Sequence, residues 1–173
     1  MTFSIKAIIR AFVAPEHQLS MPRKMWGNTL AELRRRGGGR TESGVFLLGA
    51  IEGKRRRVVT AIYYDELDPD AYASGVCVLH GDAFAKLWAH CRALGLTVVA
   101  DVHTHPGVAL QSGSDRTNPM VAREGHIAII VPNFAAAPVQ QATLGIFEYR
   151  GGHQWFDRTE AHATGYFYNG FWG

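Results

Sequence analysis

Long apolar runs are missing from this 173-residue sequence: no stretch approaches the roughly 18 consecutive apolar residues of a membrane-spanning helix, which excludes a simple transmembrane anchor. The opening MTFSIKAIIRAFVAPE is interrupted by Lys6 and Arg10, so it does not read as a secretory leader, and the expectation is a cytoplasmic protein. Cysteine is scarce. Cys77 and Cys91 are the two present, and they lack the close CxxC spacing of a thiolate metal site, which argues against a disulfide framework and leaves them as reduced core residues. Charge is modest as well. The net +3 comes mainly from Arg34, Arg35 and Arg36 with Arg40, and from Lys54, Arg55, Arg56 and Arg57. No basic stripe interleaved with aromatics follows either cluster, so a solvated helix end and a hairpin turn account for them better than a nucleic-acid surface does. Internal repeats and low-complexity segments are absent too.

What is present is enough apolar material, 47% of the residues, to fill one core. Residues 3–13 are rich in β-branched and aromatic types and read as a strand. The pattern then changes to a helix over 20–36, with Ser20 as its cap, an early Pro22, apolar Met25, Leu30 and Leu33, and arginines in the last turn before Gly37. Two β-rich runs flanking Glu52-Gly53-Lys54 predict a hairpin, opened by Glu42 and followed by a polar loop, DELDPDAYASG. A short strand over 76–79 leads to Asp82, the expected cap of a helix that places Phe84, Leu87, Trp88, Cys91 and Leu94 on one stripe and stops at Gly95. LTVVADVH is a strand, THPGVALQSGSDRTNP a loop, and GHIAIIVPN and LGIFEYRGGHQWFD are further strands. The class is α/β in a single domain over 1–160, with residues 161–173 as an aromatic tail that either packs on the body or stays mobile.

The chemistry gathers at His103-Thr104-His105-Pro106 and, five residues later, Ser112-Gly113-Ser114-Asp115. On an extended strand, residues two apart share a face, so both imidazoles can reach one ion, and Pro106 then turns the chain so that Asp115 can come back over it. Two neutral imidazoles and one carboxylate suit zinc and leave a fourth tetrahedral position open, the mark of a catalytic site. Asp101 rivals Asp115, because it alternates onto the face of His103 and His105. A role orienting an imidazole suits it better. Pro119 limits any helix after Asp115, and a start at Asn118 is the alternative. His80, His90, His126, His153 and His162 have no ligand partner at suitable spacing and are read as surface or core residues.

An upstream Glu, then HxHP, then SxxD is also the signature of the JAMM (JAB/MPN+) zinc metallopeptidases, which this chain resembles over roughly residues 20–150. HxH alone is weak, and SxxD alone also fits a helix capping box. The combination is specific. The resemblance implies an MPN/JAB fold, with a curved mixed β-sheet flanked by helices. It implies that His103, His105 and Asp115 ligate Zn2+, and that Glu42 takes a proton from the attacking water and delivers it to the leaving amine. Ser112 would stabilise the oxyanion, and neighbouring Ser114 could donate instead. Amide hydrolysis requires these parts: a nucleophile, a proton shuttle, and a donor where negative charge develops.

The family includes deubiquitinases, processing enzymes for ubiquitin-like proteins and sulfur carriers, phage and bacterial peptidases, and inactive scaffolds, so fold does not decide substrate. Candidate insertions here, DELDPDAYASG and FAAAPVQQA, are short. The chain is similar to minimal bacterial JAB proteins associated with ubiquitin-like conjugation modules. That similarity implies an isopeptidase or peptidase acting after the C-terminal tail of a ubiquitin-like protein, with E1- and E2-like enzymes as possible associates. A zinc nucleobase deaminase is disfavoured, since HxE and PCxxC are absent. The alternatives are a non-catalytic MPN scaffold and a JAB-group protein that acts on a different peptide or in DNA metabolism.

Overall fold

The structure is a computed structural model that describes residues 17–160 and 165–170. The strand predicted over 3–13 lies outside them, as does part of the aromatic tail. In chain order the elements are β1 (Leu19–Pro22), α1 (Arg23–Arg36), β2 (Gly44–Glu52), β3 (Arg55–Tyr63), α2 (Tyr64–Leu67), α3 (Gly81–Leu94) and β4 (Thr97–Thr104). They continue with α4 (Gly113–Thr117), β5 (Ile127–Val131), β6 (Gly145–Tyr149), β7 (Trp155–Asp157) and β8 (Phe167–Gly170).

The strands form one mixed sheet in the order β7-β6-β5-β4-β2-β3-β1-β8. Antiparallel hairpins β2–β3 and β6–β7 lie on either side of the parallel β4–β5 pair. Gly53, with φ of +62°, makes the tight turn between β2 and β3. The apolar run of β2 is explained by burial on both faces. Val45 and Leu47 pack towards Trp26 and Leu33 of α1, while Phe46 and Leu48 pack towards Leu87 and Cys91 of α3.

One irregularity in β4 decides which face carries the chemistry. Ala100 pairs with Leu47 but Val98 pairs with Leu48, so Val99 is an extra residue. Side chains alternate along a strand, and this bulge reverses the alternation. Ala100 and Val102 consequently join the α1 layer. Asp101 and His103, opposite Phe46 and Gly44, turn to the α3 side.

Several predicted elements need correction. Residues 19–22 are a strand rather than the first turn of the helix: Leu19 and Ser20 pair with Arg56 and Arg57 of β3, and Met21 precedes a proline, which disfavours helical backbone there. Pro22 occupies the N-cap position of α1. Residues 76–79 form no strand, because Val78 N–H bonds the Ala71 carbonyl and Cys77 N–H bonds a side chain. His80, not Asp82, precedes α3, and Asp82 sits in its first turn near the positive end of the helix dipole. Leu94, assigned to the buried stripe, is 48% exposed. The loop after β3 begins with the helical turn α2, and Glu42 lies two residues ahead of β2. In the tail, Phe167–Gly170 pairs parallel with β1.

Candidate metal centre

β4 delivers the two histidines. Its register opposite β2 continues beyond Gly44, where Thr104 N–H bonds the Ser43 carbonyl and Ser43 N–H bonds Thr104 Oγ1. That clamp brings the Glu42 segment alongside residues 103–105. His105 is held further by its N–H to the Val131 carbonyl, and its own carbonyl accepts from Phe134 N–H at 2.8 Å. Phe134 belongs to a left-handed turn, Asn133, Phe134 and Ala135, with φ between 51° and 56°. Three consecutive non-glycine residues in that region carry backbone strain, here beside the site.

Asp115 arrives from the loop by way of α4. Ser112 caps that helix: its Oγ accepts from Asp115 N–H at 3.1 Å, and the Asp115 carboxylate reaches back to Ser112 N–H at 2.7 Å. The helix starts at Gly113, so the alternative start at Asn118 is corrected; Asn118 is its C-cap. The capping box aims Asp115 at the histidines, with Oδ1 3.6 Å from His103 Nε2 and Oδ2 3.3 Å from His105 Nε2. The two Nε2 atoms stand 3.2 Å apart.

These three separations test the fit to a metal. Ligand bonds of about 2.0–2.1 Å in a tetrahedral site place neighbouring donor atoms about 3.3–3.4 Å apart. The 3.2 Å between the two Nε2 atoms and the 3.3 Å from His105 Nε2 to Asp115 Oδ2 match that edge, the 3.6 Å contact of His103 being to the other carboxylate oxygen, and one donor atom from each residue lies within 4.8 Å of the other two. His103, His105 and Asp115 therefore make a three-donor cage that suits a divalent ion.

Glu42 lies at the edge of this group. Its Oε1 is 3.9 Å from His105 Nε2, while Oε2 accepts Cys77 N–H at 3.2 Å and its own N–H bonds the Gly75 carbonyl. The segment expected to be a strand over 76–79 thus holds Glu42 in place instead. Ser112 is exposed, and since its hydroxyl accepts from Asp115 N–H, its own proton is free to point elsewhere. Ser114 is also exposed on α4.

Asp101 is separate from the cage and lies behind it. Its Oδ2 sits 3.4 Å from His103 Nδ1 and accepts from Tyr64 O–H at 3.3 Å, and its Oδ1 meets His126 Nε2 at 2.6 Å. Burial favours the neutral acid, but hydrogen bonds and charge from His103 and His126 outweigh it and hold the carboxyl down to about 2. Burial alone would lower His103; Asp101 and Asp115 nevertheless leave it raised. Asp115 follows the same logic, with burial opposed by His105, His103 and Ser112 holding it low. His126, expected at a surface or core position without a ligand partner, is a core residue. It is fully buried, and the register that pairs Asp101 with Ala128 places it two residues earlier on the same face. A lone His ahead of an apolar strand carries no local signal of this; only the parallel pairing reveals it.

No protein-family model matches the chain. The chain is 30% identical, over 95 residues, to a Sinorhizobium fredii protein named "Probable metalloprotease y4jG". That match covers 53% of this chain and 57% of the relative, so the chain spans little more than half of its length. Among solved structures it is similar to the solution structure of a Desulfitobacterium hafniense protein, with a TM-score of 0.57 and 17% identity over 80% of this chain and 88% of that one. A Salinibacter ruber protein matches with a TM-score of 0.48 and 18% identity over 80% and 86% of the two chains. The first of these supports the fold alone. No helix among the described residues is long and apolar enough to cross a membrane.

Proposed function

We propose that the chain is a zinc-dependent metallopeptidase of the JAMM type that hydrolyses the amide bond after the C-terminal tail of a ubiquitin-like protein. The observation that carries this reading is the carboxylate of Glu42, held 3.9 Å from His105 Nε2 by a residue far away in sequence yet outside the three-donor cage. A carboxylate so placed can accept a proton at the open side of the site without ligating the ion. Zinc, when bound by His103, His105 and Asp115, would supply Lewis acidity towards water and the scissile carbonyl. Glu42 Oε1 would take the proton of the attacking water and return it to the leaving amine, while Oε2 stays anchored on Cys77 N–H. The Ser112 hydroxyl proton is the donor for the developing oxyanion. The relative's name supports a metalloprotease. The JAMM assignment rests on the order Glu, HxHP, SxxD, and the ubiquitin-like substrate on the absence of large insertions.

The test combines metal content by mass spectrometry with cleavage of ubiquitin-like fusions that bear a Gly-ending tail. Wild-type protein is expected to carry one zinc per chain and release the cargo. Glu42→Ala should keep the zinc and lose at least about 100-fold in turnover. Zinc-loaded wild type that releases no cargo overturns the substrate; equal turnover by Glu42→Ala removes Glu42 from the mechanism.

A further inference from the structure

Between Pro106 and α4 the chain crosses β6 closely. A Cβ placed on Gly145 would meet the Ala109 carbonyl at 2.0 Å, so only glycine at 145 lets the segment lie down there. Ala109 is buried against Ile130 and Phe147, whereas Val108 and Leu110 point outwards, 71% and 62% exposed. Gln111 follows them and is half-buried. Gln111 lines the metal-site cavity together with Glu42, His103 and Asp115, and also a neighbouring cavity of about 410 Å³ beside Phe147 and Trp155. Trp155 forms part of both walls and is tied to α4 by its Nε1–H bond to the Arg116 carbonyl. Gln111 Nε2 is buried and makes no hydrogen bond among the described residues.

A buried donor left without an acceptor is costly, and Gln offers no packing advantage over Leu at such a position. We infer that Gln111 is a substrate-binding residue: its side-chain N–H donates to a backbone carbonyl of the extended peptide as that peptide passes between the two cavities towards the metal centre. This rests on the peptidase reading above. An extended tail presents carbonyls at regular spacing, and a fixed donor beside the cage would select the register in which the scissile bond stands over Glu42. A buried donor of this kind discriminates strongly, because a ligand lacking the acceptor leaves it unpaired.

The experiment uses zinc-loaded protein carrying Glu42→Ala, so that nothing is cleaved, and a blocked hexapeptide ending in Gly-Gly as probe. In a 15N–1H titration the Gln111 side-chain amide signal, assigned by its loss in Gln111→Leu, should move downfield as peptide is added. Gln111→Leu should weaken binding about tenfold, and Gln111→Glu, which replaces the donor with an acceptor, should weaken it further. Melting temperature separates this from a structural role: Gln111→Leu should melt no lower than its parent, because it removes an unpaired buried amide. Movement of other site signals while the Gln111 amide stays still overturns the inference and spares the peptidase reading, as does a lowered melting temperature with unchanged binding. If the probe shifts no site signal and wild type cleaves no tail fusion, the peptidase reading falls and the inference with it.

Discussion

Two of the three side chains around the Asp101 carboxylate are histidines, and one of those is a metal-cage residue. The carboxylate keeps His103 Nδ1 occupied, which leaves Nε2 as the lone pair facing the cage. Asp101→Asn preserves size but removes the charge and one acceptor. The expected outcome is a zinc affinity lower by about 10- to 100-fold, read by competition with a chromophoric chelator, with the fold retained by circular dichroism. Unchanged affinity would reduce Asp101 to a satisfied core carboxylate. Gly44 offers an independent probe from the opposite strand, because a Cβ there would meet the Tyr64 ring at 2.1 Å. Tyr64 is wholly buried between Phe46 and Asp101 and cannot move aside cheaply. Gly44→Ala is expected to cost about 2–3 kcal/mol in urea denaturation by overpacking, and to weaken zinc binding as Tyr64 is pushed off Asp101. Stability equal to wild type would contradict the packing described.

At the scale of elements, the five-residue α4 has the most to explain, because so short a helix cannot sustain itself. Its capping box supplies what length does not, and the carboxylate that closes the box is the one aimed at the histidines. Ser112 could therefore matter through the helix rather than through an oxyanion. Ser112→Ala is expected to lose about 1 kcal/mol of stability and some zinc affinity through a loosened Asp115. Ser112→Asp restores the cap but offers no donor, so it should recover the stability lost in Ser112→Ala while leaving hydrolysis impaired. Full recovery of hydrolysis by Ser112→Asp would mean that capping is the whole of its contribution. The elements also show what could be read beforehand. HxHP, SxxD and the β2–β3 hairpin are local patterns, and their spacing is enough to place them. β1 could not be read, since four residues before a helix look like its first turn until β3 and β8 claim their backbone. Residues 76–79 have strand composition but serve as the brace of Glu42. The bulge at Val99 leaves no trace in composition, yet it decides that Asp101 and His103 face α3. His126 could not be matched to Asp101 without the parallel β4–β5 register.

Across the whole molecule, the sheet curls until its two ends meet. Tyr166, which leads into β8 at one edge, donates its hydroxyl at 3.1 Å to Glu148 of β6, near the other edge. Gln141 bonds the Phe167 carbonyl, and Arg56 of β3 bonds the Gly125 carbonyl ahead of β5, so three contacts close the same seam. Glu148 is buried and is matched by Arg158, whose guanidinium lies 2.8 Å away. Ionising Tyr166 would set a phenolate beside that carboxylate. Burial first, and then Glu148, push the phenol up to about 12. A folded-state value above the ordinary 10 means that the native state holds this proton more tightly than the unfolded chain. The associated stability is complete below about pH 10 and is lost as pH rises through about 12. Tyr166→Phe deletes both the hydrogen bond and the titration. At pH 8 it is expected to be about 1 kcal/mol less stable than wild type by urea denaturation. Between pH 10 and 12 wild type should lose stability faster than the variant, so the gap between them closes. Other buried tyrosines titrate equally in both proteins, and the difference therefore isolates position 166. A gap that stays constant from pH 8 to 12 would show that the seam does not depend on the Tyr166 proton.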